Sequence, residues 1–296
     1  MIEIPSGTLL MGSDEFYPEE GPVHEREIAA FAMDEHPVTN ADFAGFVSQT
    51  GYVTVAERPL DPAEFPGADL ESLVPGGLVF TPTAGPVDLN DWREWWRWQP
   101  GAHWRAPAGA GSTIEDRMRH PVVQVAYDDA AAYAQWAGKR LPTESEWEWA
   151  ARGGLVGRRY AWGDEPRVDG RLMADTWQGA FPYRNEGAAG WVGTARVGSF
   201  PANGYGLFDM IGNVWEWTSN EWTPRHVIPG AHGVDSGGRE NLLLGAGSGF
   251  SAEPRRVLKG GSHLCAPEYC LRYRPAARTS QTEDSATTHI GFRCVR

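Results

Sequence analysis

Hydrophobic positions along the chain form short runs separated by polar turns. Such runs lie at 8–12 and 26–33, on either side of a turn rich in proline and glycine, and again at 121–126, 257–261 and 290–295. Each run is too short for a typical globular helix and is bounded by residues that favour turns. The pattern therefore predicts five short strands.

Three other segments are predicted to be helical. In the first, Phe43, Phe46 and Val47 share one helical face. In the third, Thr143 and Glu146 have the spacing of a capping box. The predicted helices begin at Thr39 or Asn40, at Asp128 and at Thr143, and they end at Gly51, Gly138 and Gly153.

Regular patterning is weak elsewhere. The 296 residues include 36 glycines and 22 prolines, which interrupt helices and strands, and 14 tryptophans. Residues 58–118 show little periodicity, but their tryptophans favour burial in a core or along a groove over disorder. These tryptophans are Trp92, Trp95, Trp96, Trp98 and Trp104. We expect an α+β fold with low regular secondary structure, arranged as a single loop-rich domain over residues 1–296.

Charge and cysteine content narrow the class of protein. Lys and Arg number 26 against 39 Asp and Glu, and the net charge of −13 argues against nucleic acids and acidic membranes as partners. No run of about 18 apolar residues is present, and Met1 is not followed by a basic and then apolar leader. Only three cysteines occur, which fits a reducing compartment. We therefore expect a cytoplasmic protein.

Two of the cysteines, Cys265 and Cys270, stand in the pattern Cys-x4-Cys. Neither a straight strand nor a helix would bring these positions together, but a bend near Pro267 would. Converging thiolates can form a redox disulfide or bind a soft metal such as copper(I), and the alternative is two inert packed thiols. His263 is either a third ligand or a structural residue. Cys294 has the setting of a buried small hydrophobe.

Arginines and tyrosines surround the second cysteine of this pair. Arg272, Arg274 and Arg278 are interleaved with Tyr269 and Tyr273. Guanidinium groups recognise carboxylates or peptide carbonyls in a bidentate manner. They also form internal ion pairs in an acidic protein, and the sequence leaves both roles open.

A second polar cluster lies upstream of the cysteines. Asp209, Asn213 and Glu216 flank a turn at Gly212 and supply hard oxygen ligands of the kind that calcium prefers. Asp175 adds a further carboxylate. Helix capping by Asp209 or Asn213 is the alternative explanation.

A set of motifs along the chain matches one protein family. They are PSGTLLMGS, HPVTNADFAGFV, GYVTVAE, HPVVQVAYDDAAAYAQWAGKRLPTESEWEWAARGG, ADTWQGAFP, FPANGYGLFDMIGNVWEWTSNEW and KGGSHLCAPEYCLRYRPAARTSQTEDSATTHIGFRCVR. Together they closely resemble the formylglycine-generating enzymes, nearly end to end. The last motif is the most specific, because Cys-x4-Cys followed by Arg-Tyr-Arg marks this branch. The resemblance implies the sulfatase-modifying-factor fold, which is C-type-lectin-like.

The resemblance implies oxidation of a peptide cysteine. In this family the cysteine of a Cys-x-Pro-x-Arg segment in an unfolded sulfatase polypeptide becomes Cα-formylglycine, with O2 and copper(I). Cys265 and Cys270 would bind copper, Ser262 would lie in the oxygen pocket, and Arg272 and Tyr273 would shape the site. We expect a monomer. The positions that match the family's peptide groove are Trp95, Trp96 and Phe200.

The resemblance also implies two calcium sites. The positions that match the first site are Asp209, Gly212, Val214 and Glu216. Those that match the second are Asp175, Thr176 and Trp191. At the second site Ala189 stands where other members supply an aspartate, so either Asn185 or Glu186 compensates or the ion is absent.

Other functions on the same fold remain as alternatives. A non-haem iron sulfoxide synthase would add an N-terminal helical domain with a three-ligand histidine and carboxylate motif, which the sequence does not display. A non-catalytic binding module would not need the paired cysteines. Disulfide exchange is the remaining alternative for the thiols themselves.

Overall fold

The three-dimensional structure is a computed structural model that describes residues 1–64, 67, 69, 73–228 and 254–296. Its helices are α1 (Asn40–Thr50), α2 (Tyr127–Trp136) and α3 (Glu144–Arg152). Its strands are β1 (Ile2–Ile4), β2 (Gly7–Met11), β3 (His24–Ile28), β4 (Phe31–Met33), β5 (Gly76–Phe80), β6 (Trp96–Pro100), β7 (Arg167–Val168), β8 (Arg171–Leu172), β9 (Gly179–Ala180), β10 (Arg184–Asn185), β11 (Trp215–Glu221), β12 (Arg255–Lys259), β13 (Arg278–Thr282) and β14 (Ile290–Gly291). Short elements joined by loops confirm the predicted α+β, loop-rich fold class.

Helices α1 and α3 are confirmed together with their caps. The Thr39 side chain caps α1, and Gly51 ends it in the left-handed conformation at φ 68°. Thr143 and Glu146 form the capping box of α3, and Gly153 follows at φ 56°. Glycine suits both ends because it has no Cβ to clash at positive φ. In the described part of the chain, no helix has the length and apolar character that crossing a bilayer requires.

Helix α2 begins one residue earlier than the predicted Asp128. The residue at its N-cap is Ala126, whose side chain cannot accept a hydrogen bond. The Asp129 carboxylate accepts the Ala126 N–H at 2.9 Å instead. The last helical residue is Trp136, and Gly138 stands beyond it at φ 65°, so the glycine stop lies where it was predicted.

The strand predicted at 121–126 is wrong. Pro121 forms an isolated bridge to Thr39, and the rest of the segment has no strand structure. Gln124 has φ 58°, which is incompatible with extended pairing. Its side-chain amide donates to the carbonyl of Leu78 at 3.2 Å, so the residue connects this buried segment to β5. Hydrophobicity alone cannot distinguish such a buried irregular segment from a strand.

The first two predicted runs form three strands in two small sheets. The run at 8–12 is confirmed as β2, which pairs antiparallel with β3. The run at 26–33 is not one strand, because β3 ends at Ile28 and β4 begins at Phe31. β4 pairs antiparallel with β1. The chain therefore changes partner within one apolar run.

The largest sheet among the described residues has the strand order β13-β12-β11-β14. β12 is antiparallel to both β11 and β13, and β11 is parallel to β14. The run at 257–261 corresponds to β12, which begins and ends two residues earlier. The strand predicted at 290–295 is wrong beyond residue 291. β11 was not predicted, because its buried first half includes the charged Glu216.

The segment 58–118 is less irregular than predicted, since it contains the hairpin of β5 and β6. Leu78 in β5 forms a parallel bridge to Thr287, which connects the hairpin to the C-terminal region. Trp104 is fully buried, as the aromatic density predicted. Trp98 is the exception, with 47% of its surface exposed.

Candidate active site

The chain turns sharply after β12 at two consecutive glycines. Gly260 and Gly261 have φ 95° and 72°. A Cβ on Gly261 would lie 2.9 Å from the Arg272 carbonyl oxygen and from the Tyr273 Cα. Only glycine lets the two backbones pass this closely. The turn thereby brings Ser262, which is fully buried, beside the segment that carries Arg272 and Tyr273.

The structure brings Cys265 and Cys270 together. Their Sγ atoms are 3.0 Å apart, and both are free thiols. A turn causes the convergence, because the N–H groups of Tyr269 and Cys270 both donate to the Ala266 carbonyl, at 3.0 and 2.7 Å. The Ser262 N–H donates to the Cys265 Sγ at 3.4 Å. Both cysteines are buried, with 2% and 4% of their surfaces exposed.

The two thiols differ in their acidity. The hydrogen bond with Cys265 lowers the pKa of Cys270 to about 7, with help from Arg272 and against the effect of burial. Burial and the neighbouring Cys270 raise the pKa of Cys265. Cys270 is therefore the more acidic thiol of the pair.

Arg272 is held beside the thiols by residues from the amino terminus. Its guanidinium pairs with Glu19 at 2.7 Å and lies 3.8 Å from the centre of the Tyr17 ring. The Tyr17 hydroxyl accepts the Leu271 N–H at 3.1 Å. Sequence reasoning missed Tyr17 and Glu19, because 253 positions separate Glu19 from Arg272 and no local motif marks the contact.

The other two arginines form internal ion pairs. Arg274 makes a bidentate pair with Glu20, and Arg278 lies 2.7 Å from Glu144. The side chains of both arginines are 1% exposed. The sequence left open whether these arginines recognise a ligand or form internal ion pairs, and the structure shows internal ion pairs.

Aromatic side chains pack against the thiol segment. Tyr269 stacks on Phe181 with ring centres 4.4 Å apart, and Trp95 meets Tyr269 edge-on at 5.3 Å. Trp95 is 1% exposed, so it packs behind Tyr269 rather than lining an open groove. Trp96 is half-buried in the same cluster, whereas Phe200 belongs to a separate cluster. The structure therefore gathers two of the three predicted groove residues.

The remaining residues near the thiols have structural contacts. The Ser262 hydroxyl accepts the Leu264 N–H at 3.2 Å. His263 contacts the Asn213 carbonyl through Nδ1 at 2.8 Å, which is the setting of a structural histidine. Cys294 is fully buried in the main core, as its alternation with apolar residues predicted.

Glu216 is already engaged at the first predicted calcium site. Arg293 donates to both of its carboxylate oxygens, and the Trp147 indole donates to one of them at 2.7 Å. Asp209 accepts the Gly198 N–H at 2.7 Å. No helix lies at this turn, so the capping explanation is wrong. The other two predicted ligands are Gly212, whose N–H donates to the Gly260 carbonyl, and the buried Val214.

Asp175, from the second predicted site, is a buried acid without a full set of partners. It is 2% exposed, and its Oδ2 has no hydrogen-bond partner. Burial and the nearby charge of Asp209 raise its pKa. Thr176 is buried beside it, and Trp191 packs edge-on against His120 at 5.3 Å.

The two residues that were candidates to replace the missing aspartate at Ala189 have other contacts. Asn185 accepts the N–H groups of Gln178 and Gly187, and Glu186 pairs with Arg184 on the surface. In the ranges that the structure describes, no group of three or more His, Cys, Asp or Glu side chains could hold a metal ion.

Known proteins resemble the chain over its whole length. Residues 1–296 match the sulfatase-modifying factor enzyme 1-like domain. The chain is 62% identical to a formylglycine-generating enzyme of Mycobacterium tuberculosis, covering 100% of this chain and 97% of that protein. It is 47% identical to one of Streptomyces coelicolor, covering 99% and 88%. Among solved structures, PvdO from Pseudomonas aeruginosa gives a TM-score of 0.62 at 24% identity, covering 99% and 92%.

The fold and the candidate site indicate the class of protein, and the comparisons show its family. The fold is that of PvdO, and its candidate site is a buried dithiol in the turn segment that follows β12. The chain belongs to the sulfatase-modifying factor enzyme 1-like family.

Proposed function

We propose that the chain oxidises the cysteine of a Cys-x-Pro-x-Arg segment in an unfolded sulfatase polypeptide to Cα-formylglycine, with O2 as the oxidant and copper(I) as the cofactor. The observation that carries the proposal is the pair of buried free thiols 3.0 Å apart. Relatives named formylglycine-generating enzyme, at 62% and 47% identity, support it.

The donor atoms of the pair fit copper(I). Cys265 and Cys270 present two soft sulfurs in one buried turn, and soft thiolates select copper(I) over hard cations. These two residues would hold the ion, and the substrate thiol would add a third sulfur. Bound copper supplies one-electron chemistry toward O2.

The side chains around the pair have distinct roles in this reaction. The positive charge of Arg272 favours the ionised form of Cys270. Burial, together with Tyr160 and the two thiols, raises the pKa of Tyr273, so its hydroxyl stays protonated and can donate a hydrogen bond. Tyr269, with Trp95 packed behind it, covers part of the buried cluster that contains the thiols. Removal of a β-hydrogen from the substrate cysteine gives a thioaldehyde, which water converts to the aldehyde.

The substrate and the compartment are part of the same proposal. An extended, unfolded peptide can use backbone contacts and aromatic surface such as the half-buried Trp96. The net charge of −13 attracts a segment that carries an arginine. A reducing cytoplasm would keep both thiols free before the sulfatase folds. The chain would act there as a monomer.

The test of the proposed function is direct. Copper-loaded protein, O2 and a short Cys-x-Pro-x-Arg peptide are mixed, and mass spectrometry follows replacement of the peptide thiol by an aldehyde. A peptide with serine in place of the cysteine should remain unchanged. If the cysteine peptide also remains unchanged with fully loaded protein, the proposal is wrong.

Calcium binding is also proposed, with Asp175 as its best-supported ligand. A buried carboxylate oxygen without a partner is costly, and a cation would satisfy it. Asp209 lies near enough to raise the pKa of Asp175 and would share the ion. Glu216 fits less well, because Arg293 and Trp147 already occupy its oxygens.

A further inference from the structure

Three aromatic rings form a continuous stack that begins beside the thiols. Tyr273 lies over Tyr160 with ring centres 5.9 Å apart and planes at 13°. Tyr160 lies over Trp162 at 5.0 Å and 2°. The rings are nearly parallel throughout, so each one faces the next. We call Tyr273, Tyr160 and Trp162 the aromatic ladder.

The ladder connects the thiol site with the surface. Tyr273 is 8% exposed and follows Cys270 by three positions. Its side chain belongs to the same buried cluster as those of Cys265 and Cys270. Tyr160 is 4% exposed, and Trp162 at the other end is only partly buried. The ladder thus leads from a closed site to solvent.

The ladder is also held in place. The Tyr160 N–H donates to the Gly163 carbonyl at 2.8 Å, and the Gly163 N–H donates back to the Tyr160 carbonyl at 3.3 Å. The Trp162 indole N–H donates to the Glu165 carbonyl at 2.8 Å. These bonds fix the rings of Tyr160 and Trp162 relative to each other.

The residue types in the ladder are those that can carry an electron. Tyrosine and tryptophan lose and regain a single electron more readily than other side chains do, and phenylalanine does not under the same conditions. The second stack at the site differs, because Tyr269 lies on Phe181. The tryptophans packed against that stack, Trp95 and Trp177, are 1% and 3% exposed. Among the described ring stacks at the thiol segment, the ladder alone consists entirely of tyrosine and tryptophan and ends at a partly buried ring.

The proposed reaction needs electrons from outside. Oxidation of the substrate cysteine breaks its S–H bond and one β C–H bond and releases two electrons and two protons. Water then replaces sulfur in the thioaldehyde, giving the aldehyde and hydrogen sulfide. Reduction of O2 to two waters consumes four electrons and four protons. Two further electrons and two protons must therefore come from another donor.

We propose that the aromatic ladder is an electron relay through which a one-electron donor of the ascorbate class supplies the two further electrons to the O2 that is reduced at the thiol site. The electron demand rests on the proposed function. Each donor gives up one electron and one proton at the Trp162 end. The electron passes through Tyr160 and Tyr273, each ring returns to its starting state, and the proton is consumed in forming water.

A test that needs neither copper nor substrate runs the relay in reverse. Metal-free, reduced protein is irradiated with tris(bipyridine)ruthenium(II) and a cobalt(III) ammine quencher, which oxidises aromatic residues at the surface. Through the ladder, two successive oxidations should remove two electrons and two protons from Cys265 and Cys270 and form a disulfide between them. The bulky oxidant cannot reach thiols that are 2% and 4% exposed. Mass spectrometry of the digested protein measures the disulfide.

The variants distinguish the relay from direct oxidation. Tyr160→Phe and Trp162→Phe keep an aromatic ring at each position, and both should lose the disulfide down to the background of Cys265→Ser. Tyr205→Phe is the matched control, because Tyr205 packs against Trp149 in an aromatic pair away from the thiols, and it should form as much disulfide as the unchanged protein. Thermal melting checks that all variants are folded.

The possible results separate the relay from the proposed function. A disulfide yield in Tyr160→Phe and Trp162→Phe equal to that of the unchanged protein overturns the relay, as does the absence of any disulfide in the unchanged protein. Aldehyde formation from the Cys-x-Pro-x-Arg peptide, measured in parallel with ascorbate, tests the proposed function. If the disulfide forms but no aldehyde does, the relay is supported and the proposed function is wrong. If the aldehyde forms but no disulfide does, the proposed function is supported and the relay is wrong.

Discussion

Two buried polar regions lie on either side of the turn after β12, and they are built in opposite ways. On one side the thiols of Cys265 and Cys270 have each other as their closest partner. On the other, Lys259 ends β12 inside a charge cluster in which each member meets an opposite charge. The cluster consists of Glu144, Glu148, Arg152, Lys259 and Arg278.

The difference shows which region is available for chemistry. Burial by itself would raise the pKa of Glu144, but contact with His226 and the charges of Lys259 and Arg278 outweigh it and lower that pKa to about 2. The pKa of Glu148 is lowered as well, so both carboxylates of the cluster are ionised and paired with cations, and they have little tendency to take up a proton near neutral pH. The thiols have no such saturation, so a soft ligand can still bind them.

The largest effect should come from breaking the thiol pair. Cys265→Ser and Cys270→Ser should each abolish copper(I) binding and aldehyde formation, because oxygen is a poor ligand for this ion. Copper is measured by titration of the reduced protein, with one equivalent expected for the unchanged chain. Cys294→Ala removes the third thiol, which lies in the core, and should keep that equivalent. Unchanged copper content in both serine variants would contradict the assignment.

Breaking the charge cluster should cost stability rather than chemistry. Lys259→Met leaves Glu148, which is fully buried, without the ammonium 3.0 Å away. Removing one partner of a buried pair costs about 3–5 kcal/mol of the free energy of unfolding. Denaturant unfolding measures the loss.

The control for this variant is Arg184→Met, which removes one member of the exposed pair Arg184–Glu186. Surface pairs of this kind contribute little to stability. If Lys259→Met unfolds at the same denaturant concentration as the control, the cluster does not support the fold as described.

A smaller effect should come from Asp175, whose carboxyl group is buried with one oxygen lacking a hydrogen-bond partner. In EDTA, the Asp175→Asn variant should be as stable as the unchanged protein or up to about 2 kcal/mol more stable, because the unsatisfied carboxylate is removed. With calcium at 100 times its dissociation constant, the unchanged protein should gain about 2.7 kcal/mol and the variant should gain none. Calorimetric melting measures both.

The stability of the metal-free protein should depend on pH because of two buried acids, Asp175 and Asp209. Burial raises the pKa of Asp175, and it raises that of Asp209 to about 6. A carboxyl with a raised pKa in the folded state stabilises the fold when protonated, so stability should fall as pH rises from about 4 to about 6. Calcium should remove this loss. A protein equally stable across this range in EDTA would contradict the raised pKa values of these two buried acids.

The sequence predicts the local features of this molecule better than its distant contacts. Thr39 and Thr143 cap helices because the signals lie within a few residues. The Cys-x4-Cys pattern and its turn are likewise local. The polarity pattern does not predict β11, because this strand contains the buried Glu216, whose partner Arg293 lies 77 positions away. The contact of Glu19 with Arg272 spans 253 positions and leaves no periodic signal.

The smallest predicted effect concerns the helix that carries much of the charge cluster. Thr143→Ala removes the hydroxyl that accepts the Glu146 N–H at 3.2 Å, and loss of such a cap costs about 1 kcal/mol. Thr113→Ala removes a similar hydroxyl, which accepts the Glu115 N–H at 3.2 Å in an exposed loop, and should change stability little. Copper binding should be unchanged in both variants, because neither contacts the thiols. If Thr143→Ala weakened copper binding, the cluster and the thiol pair would be coupled through α3, and the division between a supporting and a reactive region would fail.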